Sequence, residues 1–131
     1  MKGIWSRFKS IGKRSGAATA RIRGGLDMAS TNVMIADPDL NIVYVNRSIQ
    51  RMLADAEADI RKQLPDFTAD RIVGSNIDVF HKNPAHQRGM LKRMQGQHTA
   101  RIVIDGRTFS LILNPIDDGR GRRLGYVVEW T

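Results

Sequence analysis

The sequence predicts an α+β fold: one antiparallel sheet with helices gathered on one face. Three observations carry this. β-Rich runs stand towards both ends of the chain, with a stretch of helical composition between them. Turn chemistry separates the runs, at Pro38-Asp39-Leu40-Asn41, at Asp105-Gly106 and at Asp117-Asp-Gly-Arg-Gly-Arg122. And 131 residues, 41% of them hydrophobic, suffice for one domain with a real core.

Composition closes off several classes of function. There is no cysteine, so disulfides, thiolate metal sites and cysteine nucleophiles are excluded. No apolar run approaches the roughly 20 residues of a membrane span, and charges interrupt the first residues too often for a signal peptide. A cytoplasmic location is expected. The formal charge of +8 is lopsided. Lys2, Arg7, Lys9, Lys13, Arg14, Arg21 and Arg23 precede the first acid, Asp27. Beyond them the chain is nearly neutral. The excess therefore belongs to an N-terminal segment, residues 1–29, and not to the domain that follows, residues 30–131. Basic and aromatic residues do not interleave in the domain, so nucleic acid is not an expected partner.

Taken in order, Ile4, Trp5, Phe8 and Ile11 fall on one face of a helix with basic residues opposite. That face can cover a sheet, pair with a second copy, or lie on an anionic membrane. The helix should end near Gly24-Gly25. Asn32–Asp37 and Ile42–Asn46 read as a hairpin. Arg47–Ala58 is helical, with Ile49, Met52 and Leu53 on one side. From Ile60 to Phe80, Pro65 and Gly74 break the chain into short helical pieces. Pro84 suits the first turn of a second helix, to Gln95, because its missing N–H has no partner there in any case; Met90, Leu91 and Met94 form its apolar stripe. Three strands follow: His98–Ile104, Arg107–Ile116 and Arg123–Thr131.

Alternation sorts the last strands into faces. Phe109, Leu111 and Leu113 share one, as do Tyr126, Val128 and Trp130. The opposite face is partly apolar at Val103, Ile112 and Val127, which requires a cover; the Ile4/Trp5/Phe8/Ile11 helix, its own or a partner's, is the candidate.

The run Asp78-Val-Phe-His-Lys-Asn-Pro-Ala-His-Gln-Arg-Gly-Met-Leu91 holds the most chemistry. His81 stands before the helix and His86 in its first turn, leaning back towards His81. Such an imidazole can ligate a metal or haem, cap a helix, or pack. His98, at a strand start, reads as a solvated side chain. No nucleophile elbow, phosphate loop or metallohydrolase spacing occurs, so an enzyme is not expected.

With Asn32-Val-Met-Ile-Ala-Asp, Ile42-Val-Tyr-Val-Asn, Asp105-Gly-Arg-Thr-Phe and Gly125-Tyr-Val-Val-Glu-Trp130, this run resembles the PAS domains of bacterial methyl-accepting chemotaxis and aerotaxis receptors over about residues 30–131. The resemblance implies a five-stranded antiparallel sheet of order 2-1-5-4-3, here with an extra N-terminal helix. It also implies a site, since some members bind haem b and sense oxygen. In those, a helical-segment histidine that ligates the iron matches His86. A second pocket histidine matches His81. A last-strand tryptophan that hydrogen-bonds the gas matches Trp130, and a leucine near the gas site matches Leu111. Val128 completes the wall. The expectation is a haem-based sensor of oxygen or another diatomic gas, homodimeric through the N-terminal helix and the outer sheet face. The alternative is a haem-free PAS dimerisation and interaction module. The helical signalling domain and the acid and threonine that follow the last strand in receptors are not in this chain.

Overall fold

The computed structural model describes residues 16–81 and 84–131. Residues 16–28 are helical (α1). β1 (Asn32–Ala36) and β2 (Ile42–Val45) form the first hairpin, followed by α2 (Arg47–Gln63). Two short 3-10 turns, Ala69–Arg71 and Ile77–Phe80, lead to α3 (Pro84–Arg93). β3 (His98–Ile104), β4 (Arg107–Asp117) and β5 (Arg123–Trp130) complete one antiparallel sheet of order β2-β1-β5-β4-β3. The terminal strand thus lies at the centre, against β1 and β4.

Turn chemistry fixes both hairpins. Asp37 Oδ1 accepts from the N–H groups of Asp39 and Asn41, both at 2.9 Å, and closes the first. Asp105 and Gly106 both take positive φ, +49° and +78°, as the two central residues of a type I′ turn must. Pro115 sits within β4, where Leu113 is the last residue paired to β3, so its missing N–H interrupts no ladder on that side.

The core lies between the helices and the inner face of the sheet. α2 contributes Ile49, Leu53, Ala56 and Ile60, spaced four, three and four apart and wholly buried. Met52, expected on that stripe, is only partly buried. Ile60 closes the stripe and carries the helix past Ala58 to Gln63. Phe109, Leu111, Leu113, Tyr126, Val128 and Trp130 are buried, as alternation required. Full burial of such side chains stabilises by about 1.5–3 kcal/mol each.

Among the described residues, Asn46 is the one buried polar side chain. Its Oδ1 accepts from Ile49 N (3.2 Å), capping α2, and from Val33 N (3.0 Å). Its Nδ2 donates to Leu26 O (2.9 Å) and Thr31 O (2.7 Å). Tyr44 adds a hydrogen bond to Asp27 Oδ1 at 2.6 Å, with the Arg23 guanidinium over its ring. These anchors explain why α1 continues through Gly24 and Gly25 to residue 28 instead of ending there. The Ile4/Trp5/Phe8/Ile11 face lies outside the described residues. On the outer sheet face Val103 is 60% and Ile112 36% exposed.

An apolar cavity with three histidines

The 3-10 turn Ile77–Phe80 is tied to the first hairpin. Ile77 N donates to Leu40 O (3.0 Å), and Asn76 Nδ2 donates to Asp39 O (3.0 Å). Asn76 Oδ1 accepts from Asp78 N and caps the turn. His81 is the residue that ends it, half-buried and extended (φ −124°, ψ 135°). α3 runs alongside. Its Arg88 pairs with Asp78 through both guanidinium and carboxylate arms, Nε to Oδ1 at 3.1 Å.

Between this helical wall and the sheet lies a cavity of about 260 Å³. Ile77, Phe80, His81, His86, Gln87, Met90 and Leu91 form one side. Met34, His98, Ala100, Ile102, Leu111, Leu113, Val128 and Trp130 form the other, with Arg101 at the edge strand. Register explains the sheet side. His98 pairs with Leu113, Leu113 with Val128, and Val128 with Met34, giving one row across the sheet. Ala100, Leu111, Trp130 and Asn32 give the next row. All three histidines of the chain therefore meet one mostly apolar space.

The histidines differ sharply. His81 Nδ1 lies 2.9 Å from Ile77 O. A carbonyl only accepts, so Nδ1 carries the proton and Nε2 keeps its lone pair. Burial lowers the His81 pKa below its ordinary 6.5, against the smaller opposing effects of the Ile77 bond and the Asp78 charge. The ring is held neutral and in one tautomer. His86 lines the same space but is exposed. His98, which reads in sequence as a solvated side chain, is half-buried and lines the cavity; only strand register reveals it.

Trp130 is 3% exposed, between Phe80 (ring centroids 5.2 Å) and Phe109 (5.6 Å). Its Nε1 is buried and finds no hydrogen-bond partner among the described residues, and neither does Gln87 Oε1. An unpartnered buried N–H costs about 1–3 kcal/mol, so its place beside a cavity points to a ligand that accepts from it.

These features fit haem. Iron needs a neutral imidazole nitrogen, oriented by a bond to the other ring nitrogen, and His81 offers one. The walls are apolar, and Trp130 supplies a donor that cannot itself ligate. Among the described residues no group of three or more His, Asp or Glu side chains is placed to hold a metal ion.

No protein-family model matches the chain. It is 56% identical over 115 residues, 88% of its length, to the methyl-accepting chemotaxis protein McpB of Pseudomonas aeruginosa, and it spans only 17% of that protein. Among solved structures, the Aer2 receptor of Vibrio cholerae, described as a dual PAS-haem oxygen sensor, superposes with a TM-score of 0.68 at 32% identity, covering 77% of this chain and 92% of that one. The PAS domain of Bordetella pertussis BvgS superposes at 0.58 with 16% identity, over 87% of this chain and 85% of its own, a likeness of fold alone.

Proposed function

Because the chain belongs to the PAS domains of bacterial chemotaxis receptors, we propose that it is a sensory domain that holds haem b and responds to oxygen or another diatomic gas. One observation carries the reading: a pre-oriented, partly buried imidazole and an indole with a buried N–H that finds no partner among the described residues belong to side chains lining the same apolar cavity. Haem supplies the reversible gas-binding iron. His81 would hold the iron through Nε2, since the Ile77 bond fixes its tautomer and burial disfavours the imidazolium. His86, matched to the ligand by sequence resemblance, is exposed and takes the part of a mouth residue. Leu111 and Val128 keep water from the site. Trp130, paired directly with Leu111 across β4 and β5, supplies a buried donor that a bound gas could accept from.

The cavity lies just below the usual span of ligand pockets, roughly 300–1,000 Å³. Taking up a porphyrin would therefore require the cavity between α3 and the sheet to widen. The readout is a hemin titration of the purified chain. Stoichiometric growth of a sharp Soret band is expected; a band no stronger than that of free hemin overturns the reading.

The part exposed at Val103 and Ile112 supports self-association through the outer sheet face, as a receptor dimer requires. Light scattering at increasing concentration tests it, and a monomer throughout counts against it.

A further inference from the structure

We propose that Arg123 and Tyr126 form a clasp that makes the C-terminal end of α3 and strand β5 move as one, so that they position Trp130 without touching a ligand. The inference builds on the sensory reading above, but the clasp is present whether or not the cavity is filled. α3 and β5 share no ladder and are far apart in sequence. Yet two carbonyls at the C-terminal end of α3, Leu91 in its last turn and Met94 just past it, bond to β5. Tyr126 Oη donates to Leu91 O at 3.0 Å. Arg123 Nη2 donates to Met94 O at 2.6 Å, and Nη1 reaches Leu91 O at 3.4 Å.

The guanidinium cannot swivel away from this arrangement. Its Nε is held by Asp117 Oδ1 at 2.7 Å, its Nη1 also bonds Tyr126 Oη at 2.9 Å, and it lies over the Tyr126 ring at 5.0 Å. Asp117 and Arg123 pair across the base of the β4–β5 hairpin, so the clasp is fixed to the sheet. A cation at this end also suits the helix dipole. Apart from the Arg88–Asp78 pair, little else among the described residues secures α3. Leu91 is the only fully buried residue within it, and Gly89 weakens its interior. Tyr126, Val128 and Trp130 lie on one face of β5, with Tyr126 about 13 Å from Trp130 along the strand. An outward shift of α3 pulls on Tyr126 and hence on the strand that carries the indole.

The test perturbs α3 at a point remote from β5. A Cβ at Gly89 meets nothing nearer than Arg93 Nη1 at 3.4 Å, so Gly89→Ala stiffens the helix without a clash. Hydrogen exchange in the ligand-free protein should slow roughly threefold at α3 amides. Through the clasp, the Trp130 indole N–H should slow as well, by roughly twofold. In Arg123→Gln and in Tyr126→Phe backgrounds the α3 effect should persist and the indole response vanish. Arg123→Lys should not restore it, because a single ammonium nitrogen cannot reach the four acceptors that the planar guanidinium spans, Asp117 Oδ1, Tyr126 Oη, Leu91 O and Met94 O. If Arg123→Gln fails to fold, Tyr126→Phe, which loses only a hydroxyl, carries the comparison. An indole that ignores Gly89→Ala in the parent chain, or follows it equally in the clasp variants, overturns the proposal. A second arm repeats the measurement with hemin. Absence of hemin binding sinks the haem reading and leaves the ligand-free arm standing.

Discussion

Asn46→Ala is the perturbation whose cost the structure specifies most closely. Its side chain is fully buried. It caps α2 at Ile49 N, holds Val33 N at the start of β1, and satisfies Leu26 O near the end of α1 and Thr31 O in the connection to β1. Loss of the cap alone costs about 1 kcal/mol. Each buried group left unpartnered adds about 1–3 kcal/mol, reduced where water reaches the α1 carbonyls. The sum is about 3–5 kcal/mol. At about 4 °C per kcal/mol for a chain of this size, Tm should fall by roughly 12–20 °C. Thermal unfolding followed by circular dichroism measures it, with urea midpoints as a check. Asn46→Asp keeps both acceptor roles and loses the donor, so it should free α1 first. Hydrogen exchange in residues 23–29 should accelerate while α2 stays protected. A loss below about 1 kcal/mol for Asn46→Ala would refute the view that this one amide joins three elements.

Three further outcomes follow from single contacts. Gly125 takes φ +154° and its backbone lies against β1, so a Cβ would stand 2.2 Å from Ala36 O. Gly125→Ala should cost about 3 kcal/mol in urea unfolding, and a neutral result contradicts the close approach. Trp130→Phe removes an unpartnered donor, so ligand-free stability should change by less than about 1 kcal/mol; the hemin-loaded protein, once chemically reduced to the ferrous state, should nevertheless lose oxygen affinity, and unchanged affinity tells against the indole as donor. His81 has its folded pKa below 6.5, so the unfolded chain binds more protons between that value and about 6.5. Stability of the ligand-free protein should therefore rise with pH through this window and fall away as the pH drops. His81→Gln should flatten that slope, and an unchanged slope assigns it to another group.

Sheet and hairpins were legible because their signals are local. Period-two alternation set the inner faces of β4 and β5, and Asp105-Gly106 stated its turn. The resemblance supplied the strand order that alternation cannot. What sequence could not reveal depended on distant partners. The cost of Gly24 and Gly25 in α1 is offset by Asn46 and Tyr44, some twenty residues away. Spacing placed His81 and His86 near each other but could not say which ring is buried. That follows from the Ile77 carbonyl and from the hairpin that pins the 3-10 turn. His98 joined the cavity only through its pairing with Leu113. The Arg123–Tyr126 clasp left no sequence signal, since Arg123 stands at the end of an arginine-rich turn like any solvated charge.

The central claim is tested most directly by hemin reconstitution of the parent chain, His81→Ala and His86→Ala, compared by absorption in the Soret region. The account predicts a sharp band for the parent and for His86→Ala, and its collapse in His81→Ala with secondary structure intact. A band that survives in His81→Ala and disappears in His86→Ala would contradict it, as would a parent chain that takes up no hemin.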